Sequence, residues 1–311
     1  MQSLEIASRP IGRGAAVLMS IAMSIALMAC GSSSSGSTQT SLNSELPSSI
    51  KSAGVLNILT SPVFAPISYY KQGSTSNTDI IGSDADILRA IATELGIKAN
   101  FMPTDFPGMI PGVQSGRGDL AGGGLTDTEK REQAVQFVDD FKVDELYVVL
   151  KGNAAGISSD YFSACGHKVA YTVGALSVTT VQTLQSMCTA KGKPISEIQT
   201  SDVNATLLAV RSGRADVSFY DNLGFDAVNQ AAGNTMQSFE ITSYPSGCGC
   251  GGQYWGFAIA PSNTQLAKAI LDGLKAIIAN GKYAAILKTY NVSSNALNEP
   301  GINLQTSKPL G

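Results

Sequence analysis

Apolar positions along the chain follow two alternating rhythms. "VLNILTS" (55–61) and "KANFMPT" (98–104) read as strands. Between them, "DADILRAIATELGI" (84–97) puts Ile87, Leu88, Ile91, Ala92 and Leu95 on one face of a helix. The second half repeats the order: "KVAYTV" (168–173) is a strand, "VTTVQTLQSMCTAKG" (178–192) a helix and "SEIQTS" (196–201) a strand. Alternating strands and helices predict an α/β fold with mainly parallel sheets. One phrase also occurs twice. "GVQSGRGDLAGGG" (112–124) parallels "AVRSGRADVSFYD" (209–221), with Asp119 and Asp216 in equivalent places. Each copy reads as a helix end, a turn, an aspartate and a short buried strand. Gly116 and Gly213 suit the left-handed position that closes a helix. Two such units predict two similar lobes.

Ligands of open α/β sheets bind beyond the carboxyl ends of the strands. The strand after Asp119 ends at Gly122–Gly124, and the strand after Asp216 ends at Tyr220 and Asp221. Facing lobes would bring both ends to one cleft, with Gly124 bare and Asp221 acidic. In "AGGGLTDTEKREQAVQF" (121–137) the glycines leave the backbone open. The helix start at Thr126, Asp127 and Thr128 favours a negative group. Arg131, turned back toward that start, offers a bidentate partner for a carboxylate, and Asp221 an acceptor for a cation. A small zwitterion fits both. No Gly-Lys-Ser/Thr follows the glycines, which rules against a phosphate loop.

The 311 residues are enough for one large or two medium domains, and only 14% are charged, with a net charge of −3. No basic patch points to nucleic acid. Arg9 and Arg13 precede an apolar stretch from Ala15 to Ala29 that is short for a membrane span. It ends "LMAC", which resembles a lipobox. On that reading residues 1–29 are a lipoprotein signal peptide, Cys30 is acylated, and residues 30–50 are a flexible Ser/Gly-rich tether to the membrane. An ordinary signal peptide or a short anchor helix is the other reading. Cys165, Cys188, Cys248 and Cys250 remain, an even number that suggests disulfides outside the cytoplasm. A Cys165–Cys188 bridge would staple one strand-turn-helix unit. The pairing of Cys248 and Cys250 is left open, with a bridge to each other preferred. His167 and these cysteines lack the paired spacing of a zinc site, so no metal is expected.

Several segments together resemble the extracytoplasmic solute-binding proteins of family 3, the polar amino-acid receptors of ABC transporters. They are "ILTSPVFAPISYY", "FPGMIPGVQSGRGDL", "LTDTEKREQAVQF" and "YWGFAIAPSNTQLAKAILDGLKAIIANGKYAAILKTYNV". The resemblance covers about Gly54 to Val292. It implies a two-lobed, type II periplasmic-binding-protein-like fold, with mainly parallel sheets joined by two crossover hinge strands. With "FKVDELYVVLKG" leading out and "GQYWGFAIAP" leading back, lobe 1 is expected at 51–143 and 252–294, lobe 2 at 144–251, and a C-terminal tail at 295–311.

The same resemblance assigns roles. Arg131 grips the ligand carboxylate and Asp221 accepts from its ammonium. Thr126 donates a hydroxyl to the carboxylate, and Gly124 makes a backbone contact. Phe64 covers the ligand side chain and Phe106 lies beneath it. Two departures stand out. Gly174, Ala175 and Leu176 replace a Gly-Thr-Thr helix start, leaving backbone amides and Ser177 as donors. Ser61 replaces the aspartate of receptors for cationic amino acids, which argues for an uncharged ligand side chain. The implied function is capture of an amino-acid-like ligand for a membrane permease, as a monomer and without a cofactor. A cyclohexadienyl dehydratase on the same fold, or a sensor without transport, is the alternative. The dehydratase would need a placed general acid, and His167 is read as a surface or packing residue.

Overall fold

The computed structural model describes residues 42–175, 177–245 and 251–310. Thirteen strands occur among them: β1 (Val55–Thr60), β2 (Val63–Phe64), β3 (Ser68–Tyr70), β4 (Ile80–Ile81), β5 (Lys98–Pro103), β6 (Leu120–Ala121), β7 (Gln136–Val143), β8 (Glu145–Leu150), β9 (Lys168–Thr172), β10 (Ser196–Thr200), β11 (Val217–Asp221), β12 (Met236–Glu240) and β13 (Gln253–Ile259). Two five-stranded sheets dominate, ordered β5-β1-β6-β13-β7 and β10-β9-β11-β8-β12. The short β2, β3 and β4 make a third sheet.

The two large sheets share one plan. Three parallel strands lie side by side, the fourth is reversed, and the fifth pairs antiparallel with it. The expectation of mainly parallel sheets therefore needs one amendment per lobe, and the chain path supplies the reason. β7 of the first sheet runs through Asp144 directly into β8 of the second, and β12 of the second leads back to β13 of the first. A strand entered from the other lobe starts at the edge where its neighbours end, so it must run against them. This places Glu145, the first residue of β8, opposite Asp221, the last residue of β11.

The repeated phrase has a structural meaning. Asp119 donates its N–H to the Asn57 carbonyl, and its carboxylate accepts from the Asn57 N–H at 2.7 Å. Asp216 makes the same pair of bonds with Lys168, the carboxylate accepting at 2.9 Å. Each aspartate thus locks the start of its strand to the middle one of the three parallel strands in its own sheet. Gly116 (φ 73°) and Gly213 (φ 70°) both take the left-handed conformation after a helix, as the sequence predicts.

Helices cover the first sheet with apolar faces. Ile87, Leu88 and Ile91 of the helix Ser83–Glu94 are fully buried, as are Leu266, Ile270, Leu274 and Ile277 of Thr264–Ala279. Asn263 caps the second of these helices by accepting from the Leu266 N–H. In the other lobe, Tyr147, Tyr161, Val169 and Leu184 form a separate core. Cys165 and Cys188 are bonded there, with Cα atoms 5.3 Å apart. A bridge closing a loop of this length contributes about 3 kcal/mol. Cys248 and Cys250 lie outside the described residues, as do Cys30, the signal segment and residues 31–41 of the tether. Residues 42–50 depart from the expected flexible tether: Leu46 and Ile50 are buried, and Asn43 donates its side-chain amide to the Leu95 carbonyl at 2.7 Å.

Beyond residue 294 the chain returns to the first sheet. Leu304 and Gln305 donate their N–H groups to the carboxylates of Asp139 (2.9 Å) and Asp127 (3.2 Å). Tyr254 donates its hydroxyl to the Lys308 carbonyl at 2.9 Å.

Candidate ligand-binding cleft

The strand ends of both sheets line one cavity of about 70 Å³. A single water needs only ~10–15 Å³ on this measure, so the space suits a small organic ligand. The first sheet's side is largely apolar and hydroxylic, with Ser61, Phe64, Phe106, Gly124, Thr126 and Trp255. The second side is acidic: Glu145, Asp202 and Asp221 stand with Thr172, Ala175 and Tyr220.

Of the residues singled out in the sequence, Ser61, Phe64, Phe106, Gly124, Thr126, Ala175 and Asp221 all line this cavity. Leu176 lies outside the described residues. Arg131 stands just behind the wall. Its Nη1 donates to the Thr126 carbonyl at 2.6 Å and its Nη2 to the Gly174 carbonyl at 2.7 Å. The second bond crosses between lobes, as does the Asn204 Nδ2 donation to the Val63 carbonyl at 2.8 Å. The Phe64 ring meets Tyr220 of the other lobe edge-on at 6.0 Å and Trp255 of its own at 5.8 Å. The cleft is therefore closed.

Local geometry explains why the arginine turns back. Thr128 caps a helix of only four residues, Glu129–Glu132, by accepting from the Arg131 N–H at 3.1 Å. Within one turn, the guanidinium reaches the carbonyl of Thr126. Burial lowers the Arg131 pKa to about 10, against the opposing pull of Asp127. A half-buried guanidinium bonded to two neutral carbonyls favours an anion nearby.

The glycines act differently from the sequence expectation. Gly123 and Gly124 both donate their N–H groups to one oxygen of Asp84, at 2.9 and 3.0 Å. The amides are taken, so the loop supplies room and shape to the cleft. Gly124 has φ of 81°, and a Cβ there would sit 2.9 Å from the Phe64 ring. A side chain at 124 would push that ring into the cavity. Asp84 is a supporting residue to which the sequence reading gave no role beyond its place at the start of a helical stretch.

Glu145 and Trp255 were also missed. Glu145 opens the apolar run "ELYVVL", and Trp255 lies inside a wholly buried strand. Neither stretch resembles a binding loop. The register shifts between Trp255 and Gly256, and a Cβ at Gly256 would lie 2.6 Å from the Val138 carbonyl oxygen. The indole Nε1 and the Tyr220 hydroxyl are buried without a partner among the described residues. Both residues line the cavity, and these two polar atoms themselves are enclosed by protein. Burial raises Asp221 to about 7. It raises Glu145 to about 8, with Asp221 adding to the effect and the Thr180 hydroxyl opposing it. His167 stands apart, its Nδ1 3.7 Å from Asp216 on a partly exposed surface.

Known proteins resemble this chain in sequence and fold. The arginine-binding protein ArgT of Corynebacterium glutamicum is 28% identical over 268 residues, covering 84% of this chain and 82% of the relative. The solved structure of an ancestral arginine-binding protein bound to arginine superposes with a TM-score of 0.67 at 28% identity, covering 76% of this chain and 98% of that one. An ancestral amino-acid-binding protein, a precursor of cyclohexadienyl dehydratase, shares the fold at 24% identity and a TM-score of 0.64, covering 78% and 97% of the two chains. The signature of one family extends over residues 56–293, nearly the whole of both lobes. The chain belongs to the bacterial extracellular solute-binding proteins, family 3.

Proposed function

We propose that this protein is the receptor of an ABC importer, and that it captures an α-amino acid between its lobes. One observation supports the reading: Asp221 lines the cavity from one lobe, while the half-buried Arg131 stands behind its wall and bonds the Thr126 carbonyl of one lobe and the Gly174 carbonyl of the other. Arg131 binds the ligand carboxylate, with Thr126 beside it. Asp221 accepts from the α-ammonium. Phe64 and Trp255 cover the side chain, and Phe106 closes the cavity below. Three of the five guanidinium N–H donors remain after the two carbonyl bonds, enough for a bidentate carboxylate contact. The arginine-binding relatives support the same ligand class.

The lobes, 51–143 with 252–294 and 144–251, close as units about Asp144 and the return to β13. A closed, ligand-loaded monomer is the form the membrane permease recognises. Screening the purified protein by thermal shift against the twenty amino acids tests the reading. At least one should raise the melting temperature, since a ligand that binds only the folded state stabilises it by mass action. No shift with any of them, or turnover of prephenate or arogenate, would overturn the receptor reading, the latter in favour of the dehydratase.

Cys30 anchors the protein to the membrane through lipid. Its place in "LMAC" after an apolar stretch supports this. Cys30→Ser should move the protein from the membrane fraction to the medium or periplasm; retention of the variant in membranes would rule the lipid anchor out.

A further inference from the structure

We propose that Glu145 is a specificity residue of this cleft, receiving a positive charge on the ligand side chain, so that the ligand is an amino acid with a basic side chain. The inference rests on the amino-acid reading above and adds to it the charge of the ligand.

Glu145 and Asp221 are direct partners on the antiparallel strands β8 and β11. Residues directly opposite in such a pair point to the same face, with Cβ atoms about 4.5–5.5 Å apart. Here both face the cavity. Like charges so placed destabilise a sheet unless something positive comes between them. No cation of the described residues pairs with either: the ion pairs lie elsewhere. The hydrogen bond to Glu145's carboxylate comes from the Thr180 hydroxyl, at a long 3.3 Å. Asp202, the third acid in the wall, is held by capping a helix, accepting from the Ala205 N–H at 2.9 Å.

A neutral amino acid would satisfy Asp221 with its ammonium and leave Glu145 buried, with a weak hydroxyl contact. A basic side chain satisfies both acids. The opposite wall agrees, because the aromatic residues Phe64 and Trp255 line the same space, and a cation against an aromatic face is attracted to it. Ser61 removes one place for a side-chain cation; Glu145 supplies another, from the other lobe. A strand entered from across the cleft is what puts an acid there, at a position where the apolar sequence context hides it.

Paired ligands that differ in charge and hardly in shape test this: L-arginine against L-citrulline, and L-lysine against L-norleucine, by calorimetry. The parent protein should bind the charged member of at least one pair roughly 10- to 100-fold more tightly, the worth of a hydrogen bond to a charged group. Glu145→Gln should bring that ratio close to one while the neutral member binds as before or better. Equal or stronger binding of the neutral members by the parent would overturn the proposal without any variant. So would a Glu145→Gln protein that keeps the ratio. Binding of neutral amino acids alone defeats the role of Glu145 and leaves the receptor reading standing. Binding of no amino acid defeats both.

Discussion

Arg131→Ala should bind the cognate amino acid roughly two to three orders of magnitude more weakly, at about 1.4 kcal/mol per decade. Three losses combine. The ligand carboxylate loses a charge-assisted, fork-shaped partner, worth about 1.5–3 kcal/mol. Removing one member of a buried ion pair leaves the other unpaired at a cost of about 3–5 kcal/mol, part of which the weakened complex recovers by admitting water. The bond from Nη2 to the Gly174 carbonyl also goes, and with it a direct link between the lobes in the closed form. Arg131→Lys should restore only a fraction, because an ammonium is a point charge without the planar fork. The fold should persist: the helix carrying Arg131 has four residues, and its cap uses the backbone N–H, which alanine keeps. Calorimetry with the ligand found by thermal shift decides the matter. An alanine variant that binds like the parent would mean that the carboxylate is held elsewhere and that the guanidinium serves only to tie two loops.

Much of the fold was legible in the chain because its rules are local. Helical spacing at Ile87, Leu88, Ile91 and Leu95, strand runs on either side, and the doubled phrase with Asp119 and Asp216 need nothing beyond sequence windows of a dozen residues. The reversed fourth strands were not legible. They follow from where the chain crosses between sheets, and nothing in "ELYVVL" or "QYWGFAI" marks direction. The site divides the same way. Gly124, Arg131 and Asp221 announced themselves through the repeat and the charged helix start. Glu145 did not, since one acid before an apolar strand usually marks an exposed strand end. Asp84 did not either, because its partners, the Gly123 and Gly124 amides, lie 39 and 40 residues away. Groups that are polar and buried are set by tertiary contacts, and single-sequence patterns carry little of that information.

Unfolding free energy of the ligand-free protein should rise as the pH is lowered from about 8 to about 5, the reverse of ordinary acid destabilisation. Six carboxyl groups carry the effect. Burial raises Asp84 and Asp221 to about 7, Asp139 and Glu145 to about 8, and Asp127 to about 9; Asp140 is also raised, by burial first and then by Asp84 and Asp139 beside it. In the unfolded chain the same groups titrate near their ordinary values of about 4. Between those limits the folded state holds more protons than the unfolded one. The stability this contributes is complete below about pH 4 and is lost as the pH rises through the folded pKa values. One extra proton retained on average from about pH 5 to pH 8 changes stability by about 4 kcal/mol, at about 1.4 kcal/mol per proton per pH unit. Asp272 and Glu299, lowered by the neighbouring lysines, act in the opposite sense. Their contribution is lost only as the pH falls toward and below their own lowered values, under the window in question. Urea denaturation at three pH values across that window measures the slope directly. A flat profile, or stability that climbs with pH, would show that these carboxyl groups are ionised and internally compensated in the folded state. The slope should also shrink in Asp221→Asn, which removes one of the six protons, and in Glu145→Gln by a similar amount, since both acids share one cavity wall.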